Sequence, residues 1–168
     1  FSGVYYDLAW PTPSKNVRHG GFINEFGKPE AKWPIMAVRS IAKRAYTEFR
    51  KHCKETLFIG HVSSNPIVLP ITAFCDVLLD GEQYAGILHS YTEQMPEERA
   101  LTEFTARQFG SPLLLLPELA KSGNANYSNK TPERTIELIA ICYLYDMMMW
   151  PLFCHPGAFA QMRTPYTK

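Results

Sequence analysis

Short apolar runs recur along this chain, each stopped by a polar or breaking residue and followed by helically spaced sequence. The runs are Gly3–Leu8, Leu57–His61, Val77–Leu79 and Leu113–Leu116. Apolar strands alternating with helices predict α/β architecture: a parallel sheet covered by helices. The clearest helix is predicted from Pro34 to about Glu55. There Ile35, Val38, Ile41, Ala42, Ala45, Tyr46, Phe49 and Cys53 recur at three-to-four spacing, with Arg and Lys mostly between them. A short helix is expected before Cys75, a second full helix over Pro96–Phe109, and a third from Thr131 to Met149. Thr131-Pro132-Glu133 supplies the last with a cap, a first-turn proline and an early acid. Residues 11–33 and the stretch from Glu82 to about Met95 read as long loops.

Four such strand–helix units are half of an eight-stranded barrel, which needs roughly 250 residues. The expected fold is therefore parallel α/β, the second half of a TIM (β/α)8 barrel, with residues 1–168 one partial domain. An open four-stranded sheet is the competing architecture. The chain opens almost directly on an apolar run at Phe1, which reads as a fragment of a longer protein. Neither G-x-G-x-x-G after a strand nor G-x-x-x-x-G-K-[ST] occurs, so no nucleotide fingerprint is present.

Composition excludes other classes. The chain is 46% apolar and carries a formal charge of +1. That leaves too much apolar content for disorder and no field to hold nucleic acid or an anionic membrane surface. No run approaches the ~18 apolar residues of a membrane helix. The four cysteines have no CxxC spacing, and a zinc set from His52, Cys53, Cys154 and His155 lacks the usual ligand gaps. No metal and no cofactor is expected.

The chemistry lies at the strand ends. Asp7 ends the first run, His61 the second, Asp80 and Glu82 the third, and Glu118 the fourth. In a parallel α/β fold these ends share one face, where sites are assembled. Two carboxylates across a cleft suit glycoside hydrolysis: one protonates the leaving oxygen, the other acts as nucleophile or base. Their separation is about 5 Å for retention and roughly 6.5–9.5 Å for inversion. Glu82 is the expected acid/base and Asp7 the nucleophile or orienting group. His19, His61, Asp80 and Glu118 are expected substrate contacts. Trp10, Trp33, Tyr84 and Tyr91 lie in loops where rings could stack on sugar faces. A noncatalytic glycan-binding domain, or a metal-dependent hydrolase using His61, Asp80 and Glu82, are the alternatives.

Gly3-Val-Tyr-Tyr-Asp-Leu-Ala-Trp-Pro11, His19-Gly-Gly21, Gly60-His-Val-Ser-Ser64 and Phe74-Cys-Asp-Val-Leu-Leu-Asp-Gly-Glu82 carry a resemblance. The chain resembles the later part of the catalytic barrel of bacterial proteins related to glycoside hydrolase family 123. The resemblance implies a TIM barrel acting on a glycan or oligosaccharide in a secreted or periplasmic setting. It also implies that an upstream half completes the barrel. Characterised members use an adjacent Asp-Glu pair, the Asp orienting a substrate acetamido group. This chain has no adjacent Asp-Glu, and Leu8 follows Asp7. The sequons Asn126-Tyr-Ser128 and Asn129-Lys-Thr131 read as chance occurrences.

Overall fold

A computed structural model describes residues 3–7, 10–18, 20–84, 90–104, 110–119 and 131–163. The chain divides into two compact units, Phe1–Asp76 and Val77–Lys168.

In the first unit, β1 (Gly3–Tyr6) pairs in parallel with β4 (Leu57–His61), Tyr5 standing opposite Ile59 and Tyr6 opposite Gly60. The strand expected to reach Leu8 stops at Tyr6, and Leu8 lies outside the described residues. Alternation sends Tyr6 and Phe58 to one face and Tyr5 and His61 to the other. The Phe58 face receives α1 (Ile35–His52), whose Tyr46 and Phe49 rings lie 5.0 and 6.0 Å from Phe58. Arg50 spreads its guanidinium over Tyr46 at 4.9 Å, its stem covering apolar surface as long cationic side chains do. Burial on α1 is narrower than its periodicity predicts. Ala42 is its one buried residue, and Ile41 remains exposed. The short α2 (Leu69–Thr72) packs on α1 and buries Ile71 and Thr72.

Residues 11–33 are not featureless, contrary to expectation. A small antiparallel pair, β2 (Phe22–Ile23) with β3 (Pro29–Glu30), forms within them, and Ser14 bridges Lys32. Asn24 closes the turn, its side-chain oxygen accepting the Phe26 and Lys28 amides while Gly27 adopts φ +74°.

The second unit is also parallel. β5 (Val77–Asp80) pairs with β6 (Leu113–Leu115), which pairs with β7 (Met148–Met149). Leu78, Leu79, Leu113 and Leu115 are buried to 2% exposure or less. The stretch after β5, expected as loop, holds a 3-10 turn at Glu82–Tyr84 and α3 (Tyr91–Gln94), capped by Ser90. The helix expected over Pro96–Phe109 is described as α4 (Glu97–Glu103). Ala100 and Phe104 fill its buried side while Leu101 is exposed. Ala106 and Phe109 lie outside the described residues.

The cap at Thr131 forms as expected, its hydroxyl accepting the Arg134 amide at 3.2 Å. The helix α5 (Pro132–Leu144) then stops five residues early. Asp146 enters the left-handed region at φ +52°, and Met148–Met149 become a strand. That turn ends the α-helical hydrogen bonding and frees the methionines to pair with Leu114 and Leu115. The unpatterned tail forms α6 (Pro156–Arg163), which packs on α5. Parallel α/β organisation is thus established in each unit.

Candidate functional site

Asp7 and His61 follow or end paired parallel strands, and extending the β1–β4 register by one residue sets them side by side. Their side chains meet there. His61 Nδ1 lies 3.0 Å from Asp7 Oδ1 and 2.8 Å from Tyr5 Oη. On the other side of the ring, His61 Nε2 lies 2.9 Å from Ser63 Oγ. The result is a continuous chain of polar contacts, Ser63–His61–Asp7, with Tyr5 joined at the imidazole.

Exposure along it is graded. Ser63 and His61 are 5% and 6% exposed, whereas the Asp7 side chain is 70% exposed. Tyr5 keeps 46% of its surface and Leu57, on the same sheet face, keeps 43%. A tight turn holds the inner end. The Asn65 amide donates to Val62 O at 3.0 Å, Ser64 takes φ +60°, and Asn65 Nδ2 donates to Ser63 O at 2.7 Å. A serine in the left-handed region is held there against its own preference, so the turn is dictated by its surroundings.

Two concavities flank α1. A cleft of about 610 Å³ lies beside the start of the helix, with Val17, Gly20, Phe22, Trp33, Ile35 and Met36 among its walls. Trp33 is 53% exposed there. A smaller cavity of about 110 Å³ is lined by Tyr6, Asp7, Val38, Ile41, Ala42, Ile71 and Cys75. Burial, and then the nearby Cys75, push the Tyr6 hydroxyl above its ordinary value.

The remaining expected residues are placed as follows. Trp10 is half-buried, and His19 lies outside the described residues, as do Asn126 and Asn129. In the second unit Asp80 is half-buried at the end of β5, and its Oδ1 accepts the Gly81 amide at 2.8 Å. Gly81 has φ +136° and its added Cβ would fall 2.4 Å from Leu116 O, so only glycine fits that turn. Glu82 is half-buried just beyond it. Glu118 is 2% exposed.

Tyr84 and Tyr91 are 3% and 1% exposed, so neither offers an open face for stacking. Their rings pack 6.2 Å apart, and Tyr84 also packs on Phe104. The Tyr84 hydroxyl donates to Glu103 Oε2 at 2.9 Å, and Arg99 Nε donates to Glu103 Oε1 at 2.9 Å. Burial first, then that hydrogen bond, raises the Tyr84 pKa strongly.

The structure thus joins Asp7 to His61, the expected nucleophile or orienting carboxylate to an expected substrate contact. It adds Tyr5 and Ser63, which the strand-end argument did not select. The available signal was spacing: Tyr5 precedes Asp7 by two, and Ser63 follows His61 by two. Among the described residues, no group of three or more His, Cys, Asp or Glu is disposed to hold a metal ion. No described helix is long and apolar enough to cross a membrane. Comparison with protein-family models, curated proteins and solved structures gives no match.

Proposed function

We propose that this chain is part of a carbohydrate-active barrel related to glycoside hydrolase family 123, hydrolysing glycosidic bonds in a secreted or periplasmic setting. The observation that carries the reading is the open Asp7 carboxylate at the C-terminal end of parallel β1 and β4, held through Oδ1 by buried His61. Sites in parallel α/β folds are built at that end. A carboxylate fixed at one oxygen and open to solvent suits attack on, or orientation of, a sugar carbon. The exposed Tyr5 ring beside it suits a sugar face. The β1–β4 pair carries a helix on one face and is more open on the other, as a parallel α/β layer does.

In this reading Asp7 is the nucleophile or orienting carboxylate and Glu82 the general acid/base. His61, Asp80 and Glu118 contact substrate or support those that do, and Trp10 and His19 complete the glycan contacts. A panel of aryl glycosides tests it. Wild type should release the aryl alcohol from at least one sugar, and Asp7→Asn and Glu82→Gln should each reduce kcat by about 10²–10⁴. Glycan binding without turnover would replace hydrolysis by a binding role. Turnover unaffected by both substitutions would remove these carboxylates from the chemistry.

A further inference from the structure

The larger concavity beside α1 is apolar over most of its wall. Phe22, Trp33 and Met36 line it, and all three remain exposed. Large apolar side chains that converge on one hollow and stay in contact with water mark a binding surface. At about 610 Å³ the cleft has the size and lining of a small-molecule site.

Backbone contacts that need no ligand shape it. Ser14 and Lys32 exchange two backbone hydrogen bonds of 3.1 Å, tying the segment before Val17 to the segment before Trp33. Gly20 lies against Pro34 with φ +144°, and a Cβ on Gly21 would fall 2.5 Å from the Lys15 carbonyl. Only glycines let this part of the wall close so tightly. The connection from β1 returns as α1, so the cleft opens at the end of the β1–β4 pair where Asp7 lies. Consecutive residues mark that neighbourhood: Ala37 lines the cleft, and Val38 lines the small cavity together with Asp7.

The charge at the cleft is positive. Lys32 is among its walls, and no described carboxylate pairs with its ammonium. Residues 15–39 also carry Lys15, Arg18, Lys28 and Arg39 against Glu25 and Glu30, and the first turn of α1 holds no acid. Glu30 is engaged by Asn24, whose side-chain amide donates to its Oε1 at 3.2 Å. An apolar hollow with a cation at its wall complements a flat apolar ring that bears a negative charge. Such a ring can stack on the Trp33 indole and meet the Met36 thioether at its edge.

We propose that this cleft is a binding site for an aromatic organic anion, the ring packing among Phe22, Trp33 and Met36 and its acidic group pairing with the Lys32 ammonium. The inference does not rest on the carbohydrate reading. It uses the lining, shape and charge of the cleft, and its test needs no turnover.

The test follows the Met36 methyl and Trp33 indole N–H signals by NMR on the whole chain, assigned through Met36→Leu and Trp33→Phe. Naphthoate, its neutral isostere naphthamide, and octanoate, which has the charge without the ring, are added in turn. Naphthoate should shift both signals saturably and bind about fivefold more tightly than naphthamide, an advantage that shrinks in high salt. Octanoate should bind more weakly than naphthoate. Lys32→Met should abolish the preference for naphthoate over naphthamide while leaving ring binding in place. Trp33→Ala should weaken both aromatic ligands about tenfold, and Trp33→Phe, which keeps a ring, should weaken them less. Absence of saturable shifts up to about 10 mM naphthoate overturns the proposal. So do equal affinities for naphthoate and naphthamide, a preference that survives Lys32→Met, or octanoate binding as tightly as naphthoate.

Discussion

Burial raises the Cys75 thiol to about 11, with neighbouring Asp76 adding to it, and the Cys142 thiol to about 12, with Cys154 adding to it. The thiolate is the reactive species, so both are protonated and inert at pH 8. Iodoacetamide at that pH should modify half-buried Cys53 first and leave Cys75, Cys142 and Cys154 intact until denaturant is added. Peptide mass mapping checks this, and rapid native labelling of Cys75 would contradict its placement. The same scale shows what single residues disclosed in advance. Asp7 and His61 were legible because ionisable groups recur at four successive strand ends, where one alone would be commonplace. Ser63 was not, because serine occurs in every loop and only the folded turn aims its hydroxyl at Nε2. Tyr84 and Tyr91 misled for the converse reason: an aromatic in a polar stretch reads as loop surface, yet here short helical turns fold both rings inward.

Among the elements, α5 combines the most legible start with the least legible end. Its cap is a local matter of Thr131, Pro132 and Glu133, so Thr131→Ala should cost about 1 kcal/mol in urea unfolding, and Thr131→Ser should cost less. Its end is a tertiary matter. Met147–Met149 continue the apolar run, and nothing in that run distinguishes another helical turn from a strand buried beside β6. The pair β2–β3 escaped notice because two-residue strands carry no measurable period. Helix α5 also holds α3 through Glu137, whose Oε1 accepts from the Thr92 amide and hydroxyl while Oε2 accepts from Arg134. Burial alone would raise the Glu137 pKa, but these hydrogen bonds outweigh it and lower the value. A carboxyl lowered on folding contributes stability above its unfolded value, and that contribution is lost as pH falls through the folded one. Glu137→Gln should therefore destabilise most at pH 6–7 and converge with wild type below about pH 3. Parallel unfolding curves at all pH values would exclude this link.

At the scale of the whole molecule, parallel pairing in both units follows from alternation that the sequence displays openly, because each strand is short, apolar and separated from the next by a helix. What alternation does not display is the fastening between layers, which depends on polar side chains at element ends. Asp76, at the close of the first unit, is the clearest case. Its Oδ2 accepts the Phe58 amide at 2.9 Å, its own amide donates to Phe58 O at 2.7 Å, and Arg50 Nη2 reaches both carboxylate oxygens at 2.8 and 2.9 Å. One carboxylate thus joins the end of α1, the start of β4 and the chain leading out of the unit. Both partners are about two-thirds buried, with 28% and 32% side-chain exposure, so solvent screens the ion pair only in part. Asp76→Ala removes the acceptor of a strand amide and the partner of a half-buried guanidinium. It should lower urea stability by about 2–3 kcal/mol. Asp76→Asn keeps an oxygen for the Phe58 amide and should lose less. A double-mutant cycle of Asp76→Asn with Arg50→Met isolates the charged contact from the packing of the Arg50 stem on Tyr46 and Phe58. A coupling energy near zero would assign the stabilisation to the strand amide and the stem, and a coupling of about 1 kcal/mol or more would assign it to the ion pair.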